Sequence, residues 1–166
     1  MKRGYFVGIG SNINSKVNIA NIIGELCPIF PEIYISEVAI TIPVNIETTN
    51  SFLNAVLFVS TECEEDDLKK CFVGIEEKLG RRKDLLDRKL KDRTADIDVL
   101  SPLITLASET IRNFIPDEPY FRNLYLSLVK YLGFTSVPEF EIGETVEVQS
   151  GGKSFGKSPA TINGNS

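Results

Sequence analysis

Phe52-Leu53-Asn54-Ala55-Val56-Leu57-Phe58-Val59-Ser60 runs into Thr61-Glu62-Cys63-Glu64-Glu65-Asp66-Asp67 and then into Leu68 to Gly80. The first nine residues are an apolar run with β-branched and aromatic side chains, which reads as a buried strand. A helix follows. Thr61 and Glu64 stand at capping-box spacing, placed to satisfy amides at a helix start. Glu62, Glu64, Glu65, Asp66 and Asp67 bring negative charge to the positive end of the helix dipole. Leu68, Cys71, Phe72, Ile75 and Leu79 form one apolar stripe, and Gly80 stands where a left-handed residue would close the helix.

Upstream of this unit, residues 4–9 read as a strand and Gly10-Ser11-Asn12 as a turn. From Ser15, the residues Ile19, Ile22, Ile23 and Leu26 keep helical spacing until Pro28. Residues 33–40 read as one strand and residues 41–51, around Pro43, as a loop. Downstream, residues 81–94 are a polar, basic loop, and residues 95–100 alternate like a strand. Residues 101–118 are mixed, with breaks at Pro102 and Pro116. Pro119 opens a helix over 119–132, with Leu124, Leu128 and Tyr131 on one face, and Thr145 to Val148 is a further strand. The order β-α-β-β-α-β predicts an α+β fold, a ferredoxin-like α/β sandwich with helices packed on a mainly antiparallel sheet. One domain is expected over residues 1–149. Residues 150–166, rich in Gly, Ser, Lys and Asn, are expected to be a mobile tail.

Apolar residues make up 42% and charged residues 25% of the 166, a mix that builds one ordinary core. The net charge of −5 disfavours non-specific contact with nucleic acid, so no nucleic-acid partner is expected. No stretch approaches the roughly 18–20 apolar residues of a membrane span, and residues 5–9 are too short for a signal peptide. A cytoplasmic monomer is expected. Cys27, Cys63 and Cys71 lack the spacing of a zinc site and are odd in number, so they read as small hydrophobes in a reducing compartment. The chain contains no histidine. That removes histidine triads and histidine metal ligands, and leaves oxygen ligands, which suit a hard cation such as magnesium.

Four groups of residues bear on chemistry. Asp96 and Asp98 are i and i+2 on a strand, so they point the same way about 6.6–6.8 Å apart. Two carboxylates at that distance repel unless a cation lies between them, and the pair suits two metal ions; an exposed strand face that is merely charged is the alternative. Residues 81–93 hold seven of the chain's 18 Lys and Arg residues, a composition suited to polyphosphate oxygens or to a solvated loop. Gly8-Ile9-Gly10-Ser11-Asn12 lacks the third glycine of a dinucleotide fingerprint and the Gly-Lys of a P-loop, and reads as a tight turn. Phe52 and Asn54 share a strand face and suit either a flat heterocycle or the core.

At these same residues the sequence resembles the 6-hydroxymethyl-7,8-dihydropterin pyrophosphokinase family. The likeness spans residues 4–100 and thins beyond. Gly8-Ile9-Gly10-Ser11-Asn12, Phe52-Leu53-Asn54-Ala55, Gly80-Arg81 and Arg93-Thr94-Ala95-Asp96-Ile97-Asp98 carry it, and the last is close to the family's signature. The resemblance implies transfer of the β,γ-pyrophosphoryl group of ATP to a pterin hydroxymethyl group, with release of AMP. It implies two magnesium ions on Asp96 and Asp98, with Arg81 and Arg93 also catalytic. Glu76, Arg81, Lys83, Arg93 and Arg112 would bind ATP, and the loop of residues 81–93 would close over it. Asn54, Phe52, Thr41 and Val44 would hold the pterin, with Tyr125 as a second stacking aromatic. Asp117 and Glu118 stand where the family carries a histidine and a tyrosine, and Lys83 stands for an arginine, which weakens a bidentate clamp. Two other readings follow: a degenerate relative binding pterin or nucleotide with little turnover, and a ferredoxin-like nucleic-acid-binding module using the basic loop. The acidic charge and the lack of aromatics among residues 81–93 count against the last.

Overall fold

A computed structural model describes residues 2–41, 51–80 and 94–164. The elements run β1 (Arg3–Ser11), α1 (Ser15–Leu26), β2 (Glu32–Ile35), β3 (Ala39–Thr41), β4 (Phe52–Ser60), α2 (Glu65–Lys78), β5 (Asp96–Val99), β6 (Ile104–Thr105), α3 (Ser108–Asn113), α4 (Pro119–Tyr131), β7 (Val148–Ser150), β8 (Lys153–Phe155) and β9 (Ala160–Asn163). The central sheet has the strand order β5-β1-β4-β2-β9, with β3 added on β4 and β6 on β1. Neighbouring strands are antiparallel throughout. In each βαβ pass the chain leaves a one-strand gap that the other pass fills, so the two units interlock, as the β-α-β-β-α-β order predicts.

Alternation along the strands sorts side chains onto two faces. Tyr5, Val7 and Ile9 of β1 and Leu53, Ala55, Leu57 and Val59 of β4 join the core beneath α1 and α2. Phe6, Val56 and Phe58 belong to a second core, against α3 and α4. Both faces of the sheet are therefore covered over part of their area, rather than helices lying on one face alone. No helix among the described residues is long and apolar enough to cross a membrane.

Several local expectations give way. α2 starts at Glu65, and its N-cap Glu64 makes no side-chain capping bond. The Thr61 hydroxyl instead accepts the Cys63 N–H at 3.2 Å, a short side chain–backbone turn that competes with the capping box. The single strand expected over 33–40 breaks at Ser36–Val38, where Ser36 uses its hydroxyl and its own N–H to bond the main chain of Val56. The Gly/Ser-rich segment expected as a mobile tail outside the domain is built into it. Gly151 and Gly152 have φ of 55° and 78° and form the two-residue turn between β7 and β8, the glycine pairing that hairpins favour. β9 then pairs with β2 and becomes an edge of the sheet. Gly80, by contrast, takes the left-handed conformation expected of it, with φ of 101°.

Candidate active site

Strand register decides which candidate residues meet. Across the sheet, Asp96 faces Gly10, Gly10 faces Asn54, and Asn54 faces Ala39. In the next row toward the sheet's interior, Asp98 faces Gly8 and Gly8 faces Val56. Asp96, Asp98, Asn54 and Phe52 thus share one face. Between the acidic pair on β5 and the amide on β4, β1 contributes two residues with no side chain. With strands about 4.7–4.9 Å apart, the carboxylates and Asn54 flank a floor about 10 Å wide. The two glycines are needed sterically: a Cβ on Gly10 would overlap Asn54 Oδ1, and one on Gly8 would overlap the Phe121 ring. Gly8 to Ser11 are therefore the end of β1 and not the tight turn expected of them: the two glycines serve the floor, and the strand ends only at Ser11.

Asn54 is buried and donates from Nδ2 to the Thr41 hydroxyl, and Phe52 pairs with Thr41 across the strands. Thr41 ends the described part of this strand, and Val44 lies outside the described residues. Asp96 is half-buried and Asp98 exposed, on either side of buried Ile97. Arg81, Lys83 and Arg93 also lie outside the described residues. Gly80 and Thr94, which flank that basic stretch, adjoin each other, and Thr94 Oγ1 is buried without a hydrogen-bond partner. Among the described residues no group of three or more Cys, Asp or Glu side chains forms a metal cage. Two carboxylates on one strand face suit a cation that keeps sites for phosphate oxygens and water.

The remaining candidates fall elsewhere. Glu76 is buried on α2 and accepts the Ile97 N–H at 2.9 Å, so it touches the metal-type strand from behind. Arg112, on α3, lies beside a separate cavity of about 280 Å³ with Ser108 and residues 133–137. Tyr125 is fully buried, packs edge-on against Phe6 at 4.8 Å, and donates its hydroxyl to Ile111 O at 2.7 Å. Burial pushes its phenol pKa up. The α4 aromatic that lies over Gly8 is Phe121, four residues earlier and also buried. Helical spacing alone does not say which turn of α4 crosses the glycines. A cavity of about 320 Å³ opens beside Asp98 and is lined by Asp117, Glu118, Tyr120 and Phe121. The two acidic departures therefore stand next to Asp98.

Compared with known proteins, the chain matches the family model for 7,8-dihydro-6-hydroxymethylpterin-pyrophosphokinase (HPPK) over residues 6–131. No curated protein matches it.

Proposed function

The chain belongs to the 7,8-dihydro-6-hydroxymethylpterin-pyrophosphokinase family, the ATP-using diphosphotransferases of folate biosynthesis, and from that premise we propose that it transfers pyrophosphate from ATP to the hydroxymethyl group of 6-hydroxymethyl-7,8-dihydropterin in a magnesium-dependent reaction. The observation that carries this reading is the register row Asp96–Gly10–Asn54. It puts the Asn54 amide and the Asp96 carboxylate on one face with Gly10, which has no side chain, between them, an arrangement that supports a heterocycle site beside a metal site.

Asn54, oriented by Thr41, hydrogen-bonds the pterin, and Phe52 stacks on it. Phe121 takes the stacking role first assigned to Tyr125. Asp96 and Asp98 would hold the two magnesium ions, which would supply charge neutralisation for the triphosphate. Arg81, Lys83 and Arg93 are the proposed nucleotide contacts; Glu76, which accepts the Ile97 N–H behind the strand, and Arg112, beside the separate cavity, are not counted among them. The hydroxymethyl oxygen bonds to the β-phosphorus as the bond to the α-phosphate's bridging oxygen breaks, and AMP leaves. Such a transfer needs alignment and charge stabilisation more than a strong base, which a chain without histidine can supply.

One observation favours a second reading, a relative that binds with little turnover: Asp117 and Glu118 line the cavity beside Asp98, where they oppose a polyanion. Incubation with ATP, magnesium and the hydroxymethyl dihydropterin decides between them. AMP formation dependent on all three supports the transferase; pterin binding without AMP supports the second reading.

A further inference from the structure

Glu37 lies in the break between β2 and β3, and its side chain is 8% exposed. Ser127, on α4 and 6% exposed, donates its hydroxyl to Glu37 Oε2 at 3.0 Å. The other oxygen, Oε1, is buried with no hydrogen-bond partner. A buried carboxyl with one idle oxygen is a costly way to fill a core, and an apolar pair of the same volume would pack there at least as well. What the pair does beyond packing is join the sheet to a helix 90 residues away.

Both partners lead to the site. The strand that begins after Glu37 carries Ala39, opposite Asn54, and Thr41, which accepts the Asn54 amide. Its outer side is held by later residues: the Val38 N–H donates to Gly156 O, the Ile40 N–H to Glu144 O, and Val38 O accepts the Val146 N–H. Six residues before Ser127, about 9 Å along α4, Phe121 covers Gly8. The Glu37–Ser127 bond therefore ties the segment that leads into β3 to the helix that carries Phe121.

We propose that Glu37 is a positioning residue, which through Ser127 fixes how far Phe121 stands from the Asn54–Thr41 pair and so tunes acceptance of the pterin; this rests on the reading of those three residues as the pterin site. The test compares Glu37→Gln, which keeps an oxygen for Ser127, with Glu37→Met/Ser127→Ala, which replaces the pair by apolar side chains. The double variant is expected to melt at or above the wild-type temperature, yet to raise the KM for the pterin about tenfold, since small misplacements of binding groups have large effects. KM for ATP should hold, and Glu37→Gln should stay within about twofold of wild type in every parameter. A wild-type pterin KM in the double variant overturns the proposal. Should the double variant not fold, Ser127→Ala alone is read in the same way. If the wild type binds pterin without turnover, pterin Kd replaces KM. If it neither turns over nor binds pterin, the reading of the site has failed, and the clamp is decided by amide hydrogen exchange at residues 39–41 and 119–125. Faster exchange in the double variant but not in Glu37→Gln upholds it; unchanged exchange overturns it.

Discussion

Glu76 of α2 accepts the main-chain N–H of Ile97 at 2.9 Å, and Ile97 is the residue between Asp96 and Asp98. Among the described residues β5 pairs only with β1 and stands at the edge of the sheet, so the other side of its backbone meets no described strand. The Glu76 carboxylate takes the place of a neighbouring strand at the point where two acidic side chains must be aimed together. Charge-assisted bonds of this kind are stronger than neutral ones. Glu76→Ala leaves a buried N–H unpartnered and should lower stability by about 1–3 kcal/mol. Glu76→Gln keeps an acceptor and should lose less than half of that. Denaturant unfolding of the three proteins checks the order.

Asp96→Ala and Asp98→Ala should each reduce magnesium-dependent AMP formation at least about 100-fold, the scale seen when a group stabilising transition-state charge is removed. Circular dichroism should show the fold unchanged, because neither side chain belongs to the core. Activity kept in both variants would remove the metal assignment.

Gly10→Ala should displace the Asn54 amide, because the new Cβ would overlap Asn54 Oδ1. A stability loss of about 1–3 kcal/mol is expected from overpacking, with pterin affinity falling more than ATP affinity. Titration of each ligand separately measures this difference.

Tyr125→Phe removes one buried hydrogen bond, to Ile111 O. The expected effect is about 0.5–1.5 kcal/mol of stability, with pterin KM unchanged. A large KM increase would return Tyr125 to the binding site.

Stability should be flat at neutral pH and fall on both sides. Burial raises the pKa of Tyr5, Tyr34 and Tyr125 above the ordinary 10.0, and a hydrogen bond to Glu32 raises Lys2 from 10.5 to about 12. Groups with raised folded values stabilise fully below the unfolded pKa and cease to as pH rises through the folded one, so stability should decline above about pH 10. The Lys2 ammonium, followed by the Tyr34 hydroxyl, lowers Glu32 below 4.5. That contribution is present above 4.5 and lost as pH falls through the folded value. Melting temperature across the pH range, with tyrosinate absorbance followed in parallel, tests both limbs.

Much of this was legible in order and spacing. The run Phe52–Ser60, the α2 stripe and the glycine at its end are local signals, and each became the expected element. The signature around Asp96 and Asp98 was likewise readable, since i, i+2 spacing on a strand dictates a common face. The β7–β8 hairpin had a local signal too, Gly151-Gly152 between short strand-like runs, but the Gly/Ser-rich composition around it read as a tail. Composition alone does not separate glycines of a disordered segment from glycines at the φ > 0 positions of a hairpin.

By itself, then, the sequence determined the order of β1, α1, β4, α2, β5 and α4 and the chemistry open to a histidine-free chain, because helical and strand periodicity are set within a few residues; the short β6, α3, β8 and β9 carried no such periodicity. Tertiary structure decided what meets what. Register placed Gly10 between Asp96 and Asn54, the seating of α4 laid Phe121 over Gly8 and buried Tyr125 against Phe6, and β9 extended the sheet beyond β2. Those outcomes depend on contacts between residues dozens of positions apart, where packing volume and strand pairing select the partner and no local pattern encodes it.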